Sequence, residues 1–133
     1  MKILIVDDEH VRHLGFKKQY ADHELIHCYK VQDAIDALDN SGPFDIIQLD
    51  HDMNDWQYHE DRLRTERTGM EVCDYILHHQ RENILHKILT TDGMVIIHSW
   101  NIDKARMMAY NLNRAEIVVR RDPYKEWTPA QTV

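Results

Sequence analysis

Short apolar runs alternate along this chain with segments in which apolar residues recur every three or four positions. The apolar runs predict buried strands, and the amphipathic segments predict helices. The predicted strands cover residues 2–6, 24–29, 45–49, 94–97 and 116–119. The predicted helices cover residues 9–20, 31–38, 68–83 and a segment from 101 or 103 to about 114. This alternation predicts an α/β domain with a parallel sheet, right-handed crossovers and helices on both faces.

The apolar positions within each helix indicate which side chains meet the core. In the first helix these are Val11 and Leu14, joined by Phe16 or Gln19. In the last helix the inward residues are Ile102, Ala105, Met108, Ala109 and Leu112. The strand at 24–29 is more polar than the others, which favours a position near the edge of the sheet.

The sequence pattern does not assign a helix or a strand to three segments. Residues 53–68 are polar and lack periodicity, which is typical either of a lid or binding loop or of a solvated loop without function. Residues 84–92 either continue the preceding helix in broken form or lead into a turn at Asp92-Gly93. The tail from about residue 121 shows no strong helical pattern and is predicted to be irregular.

Composition narrows the class of protein. A chain of 133 residues fits one domain spanning 1–133. A net charge of −7 argues against broad, non-specific nucleic-acid binding, although a local anion site built on a metal ion remains compatible with it. No signal peptide or membrane-spanning run is recognisable, so we expect a cytoplasmic protein without a membrane partner. Cys28 and Cys73 are then expected to be buried thiols rather than a disulfide.

Polar, metal-competent side chains follow three of the predicted strands. They are Asp7-Asp8-Glu9, Asp50-His51-Asp52 and His98-Ser99-Trp100-Asn101. Because ligands bind at the carboxyl ends of strands in open α/β sheets, these groups predict one shared site. Several carboxylates at one edge repel each other unless a cation neutralises them, and magnesium prefers such oxygen ligands. The alternative is that these acids cap helices, with Asp8 as an N-cap, or only make the edge soluble.

These residues resemble the receiver domains of response regulators, from residue 1 to about residue 123. In that family an acidic pair after the first strand holds magnesium, and an aspartate after the third strand accepts a phosphoryl group. A serine or threonine after the fourth strand contacts that group. The resemblance assigns these roles to Asp7 and Asp8, Asp50, and Ser99. It also implies a three-layer, flavodoxin-like domain with strand order 2-1-3-4-5 and a final helix that is short or absent.

Other motifs resemble a divergent branch, the cyclic-phosphate processing receiver domains. The matching motifs are Leu49-Asp50-His51-Asp52-Met53, Thr68-Gly69 and His98-Ser99-Trp100-Asn101. Ordinary receivers carry a Lys-Pro pair after the fifth strand, whereas this chain has Arg120-Arg121-Asp122-Pro123. The resemblance implies a domain that processes or recognises cyclic phosphates, such as RNA 2′,3′-cyclic ends or cyclic nucleotides.

Opening a cyclic phosphodiester requires an activated water, charge stabilisation and a proton for the leaving alkoxide. A divalent metal, with magnesium as the first choice, would be held by carboxylates drawn from Asp7, Asp8, Asp50 and Asp52. His51 or His98 would supply the proton. If the histidines are ligands instead, manganese, iron or zinc becomes the expected metal.

The remaining candidates concern the substrate, which we expect to be a phosphate-containing small molecule or an RNA end. The candidate phosphate contacts are Ser99, Asn101, Arg120 and Arg121, and Asn101 has an alternative role as a helix N-cap. Because adjacent strand residues face opposite ways, Ser99 and His98 can both enter the site only if the strand has already ended. Aromatic residues that either stack on a base or pack internally are Trp56, Tyr58, Trp100 and Trp127.

Three functions therefore compete. The first is a metal-dependent enzyme that opens cyclic phosphates, and the second is a stand-alone signalling receiver phosphorylated on Asp50. The third is a protein that sequesters a cyclic nucleotide without turnover. The absence of the Lys-Pro pair and the additional histidines favour the first. The sequence does not indicate an oligomeric state.

Overall fold

A five-stranded parallel sheet forms the centre of the molecule in a computed structural model, which describes residues 1–61 and 63–125. The sheet strands are β1 (Lys2–Val6), β2 (Glu24–Cys28), β3 (Phe44–Leu49), β6 (Leu89–Ile97) and β7 (Val119–Arg121). They lie in the order β2-β1-β3-β6-β7. The predicted order 2-1-3-4-5 is confirmed, because β4 and β5 form a separate two-stranded sheet inserted after the third strand.

Within the described residues, four α-helices cover the two faces of the sheet: α1 (His10–Gln19), α2 (Val31–Asn40), α3 (Gly69–Arg81) and α4 (Ile102–Arg114). The larger apolar cluster joins one face of the sheet to α2, α3 and α4. The smaller cluster lies against α1 and consists of Ile3, Ile5, Phe16 and Tyr20. Among the described ranges, no helix is long and apolar enough to cross a bilayer.

Residues 53–68 are not an irregular loop. They contain the antiparallel strands β4 (Asp55–Tyr58) and β5 (Arg64–Arg67), which pair residue by residue from Asp55–Arg67 to Tyr58–Arg64. Most of these side chains are polar and exposed on both faces, so no apolar alternation revealed the strands. We call this segment the β4–β5 hairpin.

The strand β6 begins earlier than the sequence pattern predicts. It starts at Leu89 and runs through Asp92-Gly93, which was predicted to be a turn. The register shifts there, because Phe44 pairs with Leu89 whereas Ile46 pairs with Met94. A Cβ on Gly93 would lie 2.9 Å from the Phe44 carbonyl oxygen, so the glycine marks an irregularity in the strand rather than its boundary. The last strand is also displaced, from 116–119 to Val119–Arg121.

The buried face of α1 differs from the prediction. Val11 and Leu14 are 70% and 46% exposed, whereas His13 and Phe16 are buried. His13 lies 2.8 Å from the Asp7 carbonyl oxygen through Nε2, and its ring stacks on Tyr29. These contacts turn a polar side chain into a core residue and rotate the apolar pair outward. In α4 the predicted inward residues are buried except Ile102, which is exposed.

The two cysteines are buried and free, as predicted. Burial, reinforced by the nearby acids Asp33 and Asp36, raises the pKa of Cys28 to about 11. Burial also raises the pKa of Cys73. Neither thiol has the low pKa that a reactive cysteine requires.

Candidate functional site

The candidate site lies where β1, β3 and β6 end. Gly69, the first residue of α3, packs directly against the end of β3: its N–H donates to the His51 carbonyl at 2.8 Å. A Cβ at this position would lie 1.8 Å from the Asp50 carbonyl oxygen. Thr68 caps the same helix by accepting the Met70 N–H. The Thr68-Gly69 pair therefore positions the backbone of Asp50 by close approach.

Three buried side chains converge at this edge: Asp7, Asp50 and His98. One potential ligand atom from each lies within 4.8 Å of the other two. His98 Nε2 is 2.7 Å from Asp7 Oδ2, and His98 Nδ1 is 3.1 Å from Gln48 Oε1. β6 ends at Ile97, so the strict alternation of side chains no longer applies to the residues that follow. His98 therefore points to the buried acids while Ser99 lines the adjacent pocket.

Arg12, on α1, was not among the predicted site residues. Its Nη1 lies 3.3 Å from Asp7 Oδ2 and 3.2 Å from Asp50 Oδ2. Its guanidinium also lies over the ring of Trp100, with Cζ 4.8 Å from the ring centroid, and 5.8 Å from that of Tyr124. The position of Arg12 two residues into a helix gave no local signal of this role, since exposed arginines are common on helices.

The pKa values of the two buried carboxylates, Asp7 and Asp50, are shifted in opposite directions. Burial opposes ionisation of Asp7, but the hydrogen bond and charge of His98, aided by the Glu9 N–H and Arg12, lower its pKa. Burial and the negative charge of Asp7 instead raise the pKa of Asp50 to about 6. Burial and Asp7 also raise the pKa of Asp8. The raised pKa values of Asp50 and Asp8 are those of carboxylates that share too little positive charge.

A pocket of about 370 Å³ opens above these groups. Arg12 supplies the positive charge among its described lining residues, and the acids that line it are Asp8, Glu9, Asp50, Asp52 and Glu66. The other lining residues are Asn54, Trp56, Ser99, Trp100 and Asn101. An anion would enter this pocket only together with further positive charge, because five carboxylates face one guanidinium.

His51, the histidine between Asp50 and Asp52, lies beside the pocket. His51 is buried, and its Nδ1 is 2.6 Å from Asp52 Oδ1. Asp52 lines the pocket, and the Asn101 side-chain amide lies 3.5 Å from both of its oxygens. Asn101 is the N-cap of α4, accepting the Lys104 N–H at 3.3 Å. For Asp8, the N-cap alternative is wrong, since Glu9 holds that position before α1 without a side-chain cap bond.

The predicted phosphate contacts divide into two groups. Ser99 and Asn101 line the pocket, and the Ser99 Oγ accepts the Asn101 N–H at 3.1 Å. Arg120 and Arg121 are exposed at the end of β7 and are not among the described lining residues, and Arg120 lies 3.5 Å from Asp122. β7 is the edge strand beyond β6, which separates its side chains from the end of β3.

The four aromatic candidates are likewise separated by the fold. Trp56 and Trp100 both line the pocket, on the β4–β5 hairpin and after β6 respectively. Tyr58 is 72% exposed on the hairpin and does not belong to the described lining. Trp127 lies outside the described residues.

The side chains of Asp7, Asp50 and His98 carry the types of ligand atom that bind divalent cations. Asp7 and Asp50 offer the carboxylate oxygens that magnesium or manganese prefers, and the imidazole of His98 adds a nitrogen suited to manganese or zinc. One oxygen of each carboxylate contacts Arg12, and His98 Nε2 contacts Asp7, so a cation would replace the guanidinium as their counter-charge. Asp8 and Asp52 line the adjoining pocket, where they could complete the coordination.

Residues 2–114 match the family described as the cyclic-phosphate processing receiver domain. No curated protein sequence matches the chain. Among solved structures, the signal receiver domain of a putative LuxO repressor protein from Vibrio parahaemolyticus is similar. It is 21% identical with a TM-score of 0.60, over 94% of this chain and 80% of that one.

Two further structures have the same fold. Response regulator TrrA from Thermotoga maritima, solved in complex with Mg²⁺-BeF, is 17% identical with a TM-score of 0.53, over 93% of this chain and 86% of that one. NtrX from Brucella abortus is 21% identical with a TM-score of 0.57, and the match covers 94% of this chain but 24% of NtrX. At these identities the likeness concerns the fold alone.

Proposed function

Because the chain belongs to the family of cyclic-phosphate processing receiver domains, we propose that it binds a cyclic phosphodiester above Asp50 and hydrolyses it with the help of a divalent metal. The observation that carries the proposal is the convergence of Asp7, Asp50 and His98 beneath a pocket lined by Arg12 and Ser99. The buried acids that follow two adjacent strands, Asp7 after β1 and Asp50 after β3, need positive charge, and a phosphate ester beside them needs the same charge.

A divalent metal would supply Lewis acidity and an activated water at this position. Asp7 and Asp50 would hold it, with His98 as a third ligand or as the group that orients Asp7. Ser99 accepts the Asn101 N–H through Oγ, so its hydroxyl proton can be donated to a phosphoryl oxygen. These groups are preorganised by strand ends and a helix cap, which favours stabilisation of developing negative charge.

The leaving alkoxide needs a proton, and the His51–Asp52 pair is the source that the geometry favours. Asp52 lines the pocket while His51 is buried behind it, 2.6 Å away through Nδ1. A protonated His51 would pass its proton through this contact to Asp52 and then to the leaving oxygen. His98 is the weaker candidate, because Asp7 and Gln48 already engage both of its ring nitrogens.

The aromatic lining supports a nucleotide as the substrate. Trp56 reaches the pocket from the β4–β5 hairpin and Trp100 from the loop after β6, so a base entering with its phosphate near Ser99 would meet an indole ring. Stacking on an aromatic ring is worth about 1–3 kcal/mol per base and tolerates different bases. RNA 2′,3′-cyclic ends and cyclic nucleotides are therefore the substrates that we propose.

The decisive experiment is turnover of a short RNA ending in a 2′,3′-cyclic phosphate, beside a panel of cyclic mono- and dinucleotides. Each would be incubated with magnesium, manganese or zinc and with chelator. Asp50→Asn tests the site, and Asp74→Asn, which removes a charge from an exposed position on α3, is the matched control. We expect chelator-sensitive opening that Asp50→Asn weakens and Asp74→Asn leaves unchanged. Binding without turnover would instead indicate a sequestering protein.

The second candidate is a receiver phosphorylated on Asp50. The observation that favours it is the position of Asp50 at the end of β3, lining the pocket in a fold shared with signalling receivers. Incubation with a small phosphodonor and magnesium would label Asp50 in that case, and Asp50→Asn would abolish the label outright. Stable labelling without any opening of cyclic phosphates would refute the proposed hydrolysis and establish this alternative.

A further inference from the structure

The guanidinium of Arg12 lies between the buried carboxylates of Asp7 and Asp50, where a bound cation would neutralise both. It bridges Asp7 and Asp50 through one nitrogen, at 3.3 Å and 3.2 Å, and its side chain is 17% exposed. Both carboxylates are buried, so each depends on charge supplied from within the protein. The burial that disfavours a charged guanidinium is outweighed by these two acids, which raise the pKa of Arg12.

We propose that Arg12 is an exchangeable counter-ion: it yields Asp7 and Asp50 to a divalent cation and then binds the phosphoryl group of the substrate. The inference rests on the metal site of the proposed function but assigns a role to a residue outside the sequence motifs. Arg12 is the cation among the described residues that line the pocket, and Arg120 and Arg121 do not lie there. The phosphate-binding role predicted for those two arginines passes to Arg12.

The charges of the site explain why the two steps depend on each other. While Arg12 Nη1 contacts both carboxylates, that nitrogen is engaged, and the described lining of the pocket carries five acids, so an anion gains little there. A divalent cation on the carboxylates makes the guanidinium redundant as their partner. The freed fork of donors then matches a phosphoryl group, which guanidinium binds in bidentate geometry.

The aromatic contacts explain where Arg12 rests after the exchange. Trp100 and Tyr124 both lie within cation–π range of the guanidinium, and the Trp100 Nε1 donates to the Tyr124 carbonyl at 2.9 Å. Attraction to a ring face does not require one hydrogen-bond direction. The guanidinium can therefore turn away from the carboxylates and remain at the wall of the pocket.

The first test measures Mn²⁺ affinity by calorimetry, without substrate, for the wild type, Arg12→Gln and Arg12→Lys. Lys18→Gln is the matched control, because it removes one positive charge from an exposed position on the same helix. We expect Arg12→Gln to bind Mn²⁺ about tenfold more tightly, since two charge-assisted contacts no longer compete. Lys18→Gln should stay within about twofold of the wild type. The Mn²⁺ affinity of Arg12→Lys, which keeps the charge, should fall between those of Arg12→Gln and the wild type.

The second test measures the affinity for inorganic phosphate with and without saturating Mn²⁺. In the wild type, Mn²⁺ should strengthen phosphate binding, and by linkage phosphate should strengthen Mn²⁺ binding by the same factor. Arg12→Gln should bind phosphate about tenfold more weakly at saturating Mn²⁺, in spite of its tighter metal site. Opposite changes in the two affinities are the signature of an exchange, which a merely structural arginine would not produce.

A third measurement follows the arginine itself. In a Trp56→Phe/Trp127→Phe background, Trp100 is the remaining tryptophan, and Mn²⁺ should change its fluorescence emission. Magnesium, which is diamagnetic, should produce part of the same change. Arg12→Gln should remove that shared part. Unchanged or weaker Mn²⁺ affinity in Arg12→Gln would overturn the exchange while leaving the metal site intact. Failure of every variant to bind a divalent metal would overturn the metal site and, with it, this inference.

Discussion

Replacing Gly69 by alanine tests whether close packing of α3 holds the candidate site together. The added methyl would lie 1.8 Å from the Asp50 carbonyl oxygen and 3.1 Å from the His51 Cα. Both are backbone atoms, so no change of rotamer relieves the clash. Because a carbon–oxygen contact settles at about 3.3 Å, the start of α3 must retreat by about 1.5 Å. That movement would break the 2.8 Å hydrogen bond from the Gly69 N–H to the His51 carbonyl.

Two effects of opposite sign determine the size of the change. Alanine is a better helix former than glycine by about 1 kcal/mol, which favours the variant. Overpacking typically costs about 1–3 kcal/mol, and loss of the backbone hydrogen bond costs about 1 kcal/mol more. We therefore expect Gly69→Ala to lower the free energy of unfolding by about 2 kcal/mol. For a domain of this size that corresponds to a fall in Tm of about 6 °C.

The assay is urea unfolding and thermal melting of Gly69→Ala beside Asp74→Ala. Asp74 is exposed on the same helix, so the control has the gain in helix propensity without the clash. Gly69→Ala should also weaken Mn²⁺ binding, since the methyl pushes on the backbone that carries the Asp50 side chain. A Gly69→Ala protein as stable as Asp74→Ala, with wild-type Mn²⁺ affinity, would refute the argument that this glycine positions the site.

Three further predictions concern the buried groups. Burial and Asp7 raise the pKa of Asp50 to about 6, above its unfolded value of 3.8. As the pH rises from about 4 to about 7, the metal-free wild type should therefore lose up to about 3 kcal/mol of unfolding free energy relative to Asp50→Asn, measured by urea titration with chelator. A constant difference across that range would contradict this assignment. His98→Ala leaves Asp7 without its buried donor and should lower the free energy of unfolding by about 3–5 kcal/mol; strict additivity with Asp7→Asn in a double-mutant cycle would argue against direct contact. Cys28 and Cys73 should react with a thiol reagent at pH 8 only after unfolding, and rapid labelling of the native protein would show that they are accessible.

The sequence predicted most strands and helices because their patterns repeat locally, whereas the strand order followed from the resemblance to receiver domains. A buried strand is a short apolar run, and α2, α3 and α4 each carry a regular apolar stripe. The pattern failed where burial is not apolar or where strands are not buried. In α1 the buried residues include His13, and the β4–β5 hairpin has few buried positions, so neither shows the expected period.

The sequence by itself also indicated which strand ends carry the chemistry, since polar residues that directly follow apolar strands must lie at one edge of a parallel sheet. Only the tertiary structure decided which of them touch. His98 meets Asp7 across 91 positions, and Arg12 meets Asp50 across 38. The rotation of α1 brings Arg12 over that edge, whereas the outer position of β7 leaves Arg120 and Arg121 in solvent. Contacts between distant segments depend on how helices and strands pack against each other, and local sequence periodicity does not indicate that packing.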